Sequence, residues 1–319
     1  MRRRGGAAPV DLTTTVGSVA LPNPVMTASG TAGHGAELAP YLELASLGAI
    51  VVKSLSARAW AGNPALRVHE TAAGMINSVG LQGPGVEAWL EHDLPPLEAA
   101  GARVVASIWG HTVADYEAAA SLLAGASGCV VAVEVNLSCP NTEAARDLFA
   151  HSEAATADAM AATAACGRPR WAKLSPNVTD LVPIAAAAQR AGAEAVTLIN
   201  TVLGMAIDAE TATYRLGSGA RGGGLSGPAI HPVAVRAVHD VHAALPDLPI
   251  IGVGGIARGA DAAELLLAGA SAVQVGTATF ADPRAAARVL DELTAWLARS
   301  GRPSIVANVG AAHRKEHTS

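Results

Sequence analysis

The chain has 319 residues, half of them hydrophobic and 15% charged, which supplies one large core and excludes a disordered or low-complexity protein. Its formal net charge of −5 argues against a nucleic-acid partner, and no apolar run reaches the ~18–20 residues of a membrane span. The three cysteines, Cys129, Cys139 and Cys166, have no paired spacing; they offer no disulfide framework and no zinc or iron–sulfur site, and a cytoplasmic protein is expected.

Residues 1–10 are basic with no apolar stretch behind them, so they read as a tail and not as a signal peptide. Residues 11–24 read as a small hairpin. Short apolar, β-branched runs then follow at 25–29, 49–53, 103–108, 132–137, 171–174, 195–200, 249–253 and 272–275. Several are apolar throughout, as parallel strands buried on both faces should be. The Ala-rich stretches between them carry apolar residues three and four apart, as from Asp261 to Ala268, and read as helices. Many stop at a glycine: Gly48, Gly101, Gly192 and Gly269. Eight such units predict a (β/α)₈ barrel, one domain over residues 11–300, followed by a C-terminal tail at 301–319.

Three segments, 54–102, 138–153 and 201–248, exceed what a loop and a helix need. All follow the C-terminal ends of strands, the face on which barrel enzymes keep their chemistry. Gly222, Gly223 and Gly224 read as a flexible turn inside the last of them.

Polar residues gather at those strand ends. Of 22 basic residues only three are lysines; Lys53 and Lys173 end buried strands, and Lys315 lies in the tail. A buried lysine needs a partner or a task. One reading is an ion pair that fastens the barrel; the other is a pair of cations facing a bound anion or a flavin ring. Gly254-Gly255 and Gly276-Thr277, at the ends of the seventh and eighth strands, form the pattern of a barrel phosphate site. Asn77, Asn136, Asn141 and Asn200 fall on the same face, and amides suit a neutral imide or amide ring. Cys139, between Ser138 and Pro140, is placed to be a base or nucleophile, or is simply a small buried hydrophobe. Cys129 and Cys166 read as structural. His239 and His242 lie three apart on a helix without a third ligand nearby in sequence, which is poor support for a metal.

These residues resemble the dihydroorotate dehydrogenase family. The matching stretches include Gly74-Met75-Ile76-Asn77-Ser78-Val79-Gly80-Leu81-Gln82, Asn136-Leu137-Ser138-Cys139-Pro140-Asn141, Lys173-Leu174-Ser175-Pro176-Asn177 and Gly223-Gly224-Leu225-Ser226-Gly227-Pro228, in order between Asp11 and Leu297. A Cys at the base position resembles class 1, and the Gly-Leu-Gln and Leu203-Gly204-Met205 stretches look most like the class 1B catalytic subunit. The resemblance implies oxidation of (S)-dihydroorotate to orotate in de novo pyrimidine biosynthesis. It implies FMN bound by Ser29, Lys53, Ser54, Asn136, Lys173, Ile199, Gly227, Gly254, Gly255, Gly276 and Thr277. Dihydroorotate would be bound by Lys53, Asn77, Ser78, Val79, Gly80, Leu81, Asn136, Asn141, Asn200 and Thr201. Cys139 would take the C5 proton as hydride leaves C6 for the flavin N5, with Lys173 stabilising charge near N1. A homodimer core and a partner subunit with FAD and a 2Fe–2S cluster, passing electrons to NAD⁺, are also implied.

Two positions depart from the family pattern. Ser107 stands where the family usually has Asn near FMN, so a flavin contact there is lost or passed to a water. Residues 142–147 lack the Val-Lys and Gly-Gly that often follow the Cys in the NAD-linked type. The competing readings are a flavin barrel acting on dihydrouracil-like rings, a non-catalytic FMN-binding scaffold, and a phosphate-sugar isomerase or aldolase barrel without flavin.

Overall fold

The computed structural model describes residues 10–139, 148–218, 222–302 and 304–314. Asn141, Lys315 and the departure at 142–147 lie outside the described residues. Eight parallel strands build the centre: β1 (Val25–Thr27), β2 (Ile50–Val51), β3 (Val104–Ile108), β4 (Val130–Asn136), β5 (Arg170–Lys173), β6 (Ala195–Leu198), β7 (Ile250–Val253) and β8 (Ala272–Val275). They hydrogen-bond in the order β1-β8-β7-β6-β5-β4-β3-β2. Parallel pairing of Met26 with Ala49, and a 2.8 Å bond from the Gly48 N–H to the Val25 carbonyl, join the two ends into a (β/α)₈ barrel.

The alternation of side chains along each strand decides what lies inside. On β3, Val104, Ala106 and Ile108 pack outward against the helices, whereas Val105 joins the inner cluster. That inner cluster unites Met26, Val51, Val105, Trp171 and Ile251 with Val16, Val19 and Leu21. The last three belong to an antiparallel hairpin, Thr14–Val16 with Val19–Leu21, which stoppers the N-terminal end of the barrel. Above it lies a buried polar layer. Glu134 Oε2 accepts from Thr197 Oγ1 at 3.0 Å and from Gln274 Nε2 at 2.7 Å. The next inward positions toward the strands' C-termini are Asn136, Lys173, Ile199 and Gly276, and these reach the mouth.

The long insertions after β2 and β6 meet each other over that mouth. Val68–Thr71 and Gly74–Asn77 from the first pair with Gly223–Ser226 and Val202–Gly204 from the second in a four-stranded antiparallel sheet. This corrects the reading of Gly222–Gly224 as a flexible turn. Gly223 and Gly224 are strand residues, and close approach requires them to be glycine: a Cβ on Gly224 would lie 2.1 Å from Thr201 Oγ1, and one on Gly223 2.4 Å from the Asn77 carbonyl oxygen. Residues 304–314 pack on the barrel. Ile305 is fully buried and its N–H donates to the Asp11 carbonyl, while the Gly310 N–H donates to the Leu266 carbonyl. His313 stacks on His239 at 4.1 Å and tilts against His242 at 4.9 Å, so the two helical histidines are occupied in packing. No helix among the described residues is long and apolar enough to cross a membrane.

Candidate active site

One cavity of about 820 Å³ opens at the C-terminal mouth. Its wall brings together Ser29, Lys53, Ser54, Asn77, Ser78, Val79, Gly80, Leu81, Asn136, Lys173, Ile199, Asn200, Thr201, Gly227, Gly254, Gly255, Gly276 and Thr277. These come from seven of the eight strand ends and from the cap sheet, so residues scattered over the chain are neighbours only because the barrel closes.

The floor is a continuous polar chain. Ser29 Oγ is 3.1 Å from Ser54 Oγ, which lies 2.9 Å from Ser107 Oγ and accepts from Asn136 Nδ2 at 3.3 Å. Asn136 Oδ1 accepts from Asn200 Nδ2 at 3.2 Å and from the Ser138 N–H at 3.2 Å, and Asn200 Oδ1 accepts from the Thr201 N–H at 2.9 Å. Each bond fixes which way an amide faces, because one Nδ2 hydrogen of Asn136 is already committed to Ser54. Ser107 is fully buried and holds Ser54 from behind; it is not on the cavity wall.

Lys53 and Lys173 enter the same space, and among the described residues neither forms an ion pair with a carboxylate; the fastening reading has no partner to support it. Lys173 is 5% exposed. Burial pushes the Lys53 ammonium down to about 8; Cys139 opposes that shift and Lys173 adds to it.

The glycine loops form a cradle in the cavity wall. Gly227, Gly254 and Gly255 have φ of +94°, +142° and +69°, values L side chains rarely adopt. A Cβ on Gly255 would meet the Gly227 carbonyl oxygen at 2.9 Å, so the loops touch through bare backbone. His231 fixes this loop by a 2.8 Å contact between Nδ1 and the Gly254 oxygen, and Thr277 Oγ1 donates to Ser226 Oγ at 2.8 Å.

Cys139 lies beside the cavity and is not on its wall. It is fully buried, and its Sγ donates to the Asn136 carbonyl at 3.4 Å. Burial pushes its thiol up to about 12, against the pull of Lys53, of the Tyr116 hydroxyl and of the Gly110 N–H. Cys129 is partly buried, and Cys166 closes the turn Thr163–Cys166.

The sequence reading assigns no binding role to several wall residues: Trp60, His111, Ser138, Ser175, Asn177 and Ser226. Ser138 and Ser175 sit at strand ends already singled out, so position alone could have found them. Asn177 spans the ends of β5 and β6, donating to Ser175 Oγ at 2.8 Å and to the Thr201 carbonyl at 3.0 Å. Trp60, Trp109 and His111 form a trio of edge-to-face rings with centroids 4.9–5.9 Å apart. No signal local to Trp60 reveals that trio, because it belongs to a different loop.

A ligand-sized cavity at the C-terminal mouth, with amides and cations on its floor and glycine backbone on its wall, defines a barrel enzyme. The dihydroorotate dehydrogenase family model matches residues 11–297, and the chain belongs to that family of oxidoreductases. It is 50% identical over 300 residues to a dihydroorotate dehydrogenase B (NAD(+)) catalytic subunit from Desulforudis audaxviator, covering 94% of this chain and 96% of that one. A protein of the same name from Geobacter sp. strain M21 is 46% identical over 302 residues, covering 94% and 98%. A putative dihydroorotate dehydrogenase A (fumarate) from Solibacter usitatus is 47% identical over 291 residues, covering 91% and 94%.

Proposed function

We propose that this protein is the FMN-dependent catalytic subunit of a class 1B dihydroorotate dehydrogenase, oxidising (S)-dihydroorotate to orotate in de novo pyrimidine biosynthesis. One observation carries the reading: a glycine cradle, two lysines and an amide-lined floor share a single cavity of about 820 Å³, at the upper end of the range typical of small-molecule sites.

The residues fit FMN. Gly227, Gly254, Gly255, Gly276 and Thr277 would hold its phosphate through backbone N–H groups, and Ser29, Ser54, Asn136, Lys173 and Ile199 would hold the rest. FMN, when bound, supplies the acceptor for the hydride that leaves C6. The chain's own residues do the remainder. Lys53 binds the carboxylate of dihydroorotate, a group that dihydrouracil-like rings lack. Asn77, Asn136 and Asn200 bind the ring amides, with Asn141 as a further candidate, and Ser78 to Leu81 and Thr201 enclose the ring. Cys139 accepts the C5 proton on Sγ. Lys173 keeps a positive charge where negative charge collects.

The two-subunit assignment is supported by the names of the NAD(+)-linked relatives and by the cysteine count: three cysteines are too few for a 2Fe–2S cluster, which takes four ligands. A partner subunit would carry that cluster and FAD, around a homodimer of catalytic chains. The test is direct. The purified chain should be yellow or take up about one FMN, and dihydroorotate should bleach it. A colourless protein that refuses FMN would sink the cofactor assignment. In the same stopped-flow assay Cys139→Ser should slow flavin reduction roughly 10²–10⁴-fold at neutral pH, the scale of a lost general base. Wild-type reduction by that variant would remove Cys139 from the chemistry.

A further inference from the structure

Cys139 is poorly prepared to be a base as it stands. Its hydrogen is committed to the Asn136 carbonyl, and it is sealed from water. Loss of that hydrogen would leave a sulfur anion pointing at a carbonyl oxygen, with no solvent to relieve the repulsion.

The surroundings contain the remedy. Tyr116 lies on the helix Val113–Leu123 that follows β3, and it too is fully buried. Its hydroxyl donates to the same Asn136 carbonyl at 2.7 Å, so the phenol and the thiol share one acceptor. Both the Tyr116 hydroxyl and the Gly110 N–H pull the thiol's pKa down, against its burial. The buried ring packs edge-on against Phe149 at 5.2 Å, 85° between planes, and the hydroxyl remains free to turn about its own C–O bond. Among the described residues, the charged and titratable groups facing this pair are Lys53, just past β2, and Asp115, beside Tyr116 on its helix.

We infer that Tyr116 is a positioning residue for the base: its hydroxyl turns from the Asn136 carbonyl to the sulfur when Cys139 gives up its proton. Before ionisation both O–H and S–H point at the carbonyl. Afterwards Sγ accepts from Tyr116 and Gly110, with Lys53 as the nearby cation. The phenol stays protonated throughout, because burial holds its pKa well above the ordinary value. A hydrogen bond to an ionised acceptor is roughly twice as strong as a neutral one, so the exchange favours the thiolate. The catalytic consequence rests on the reading of Cys139 as the base; the coupling of the two side chains does not.

The test reads Cys139 itself. The rate of iodoacetamide labelling at Cys139 is followed by mass spectrometry across pH on the full-length chain. Tyr116→Phe keeps the ring and removes the donor, and labelling should fall by about tenfold at every pH below the midpoint, equivalent to a midpoint raised by about one unit. A purely structural role predicts the opposite sign, since loosening a buried pocket speeds labelling. Phe149→Leu disturbs the ring contact and keeps the hydroxyl, so it should not slow labelling. Should Tyr116→Phe fail to fold, replacing the three tyrosines with 3-fluorotyrosine strengthens the donor with little change of shape. Tyr41 and Tyr214 are about half exposed, so the effect at Cys139 comes from Tyr116, and labelling should become faster. Unchanged or faster labelling in Tyr116→Phe, or unchanged labelling with fluorotyrosine, overturns the inference. If labelling responds as expected while Cys139→Ser still reduces its flavin at the wild-type rate, the coupling stands and the base assignment falls.

Discussion

Lys53 shows how a single residue can oppose stability and serve function. Its ammonium is largely desolvated, and its folded pKa of about 8 lies below the ordinary 10.5. A depressed lysine pKa means the folded chain holds the proton less tightly than the unfolded one. The cost is therefore fully present below pH 8 and fades as pH rises toward 10.5. Lys53→Met should accordingly raise the melting temperature of the ligand-free chain by a few degrees at neutral pH, with a smaller gain near pH 10. Thermal unfolding at the two pH values checks this, and a gain that grows with pH would refute it. The same variant should lose affinity for dihydroorotate. Lys53 and Lys173 were legible in the sequence because lysine is rare here and both end apolar runs. Tyr116 was not: a tyrosine on an ordinary amphipathic helix carries no mark of the carbonyl that its hydroxyl will share with a distant thiol.

At the scale of elements, the barrel strands were legible because burial on both faces leaves unbroken apolar runs; the run at 272–275 coincides with β8. Boundaries drifted where the last residues bend away as site residues. Ser29, Lys53 and Asn200 were included in strands but lie just past β1, β2 and β6. The sheet over the mouth was not legible, because the pairing that joins its two halves, Gly74–Asn77 with Gly223–Ser226, spans about 150 residues, and one of those strands begins with two glycines that resemble a turn. That packing makes a clear prediction. Gly224→Ala would place a methyl within 2.6 Å of Thr201 Cβ and should cost about 1–3 kcal/mol of overpacking. Gly125→Ala, with nothing within 4 Å, serves as control. Urea midpoints of the two variants should differ, and dihydroorotate affinity should drop only for the first. Equal midpoints would mean that Thr201 yields freely.

At the scale of the whole molecule, closure of the ring turns a linear scatter of polar residues into one mouth, and it was the count of eight strand runs that made this closure predictable. Residues 304–314 were harder to read, since Ile305 and Asn308 are buried by an irregular segment with no period. Under the two-subunit reading proposed above, substrate oxidation belongs to this chain and onward electron transfer to its partner. The FMN-loaded chain alone should be reduced by dihydroorotate yet reduce NAD⁺ slowly. Rapid NAD⁺ reduction by the chain alone would refute the two-subunit reading, and rapid fumarate reduction would favour the single-subunit type. The mouth also carries an optical probe of its own. Trp60 lines the cavity and meets Trp109 edge-on, whereas Trp89 and Trp171 are fully buried elsewhere in the fold. Indole emission overlaps flavin absorption. Each arrival of cofactor at the rim should therefore dim the protein's intrinsic fluorescence, and the share lost in Trp60→Phe measures how much of that signal originates at the entrance.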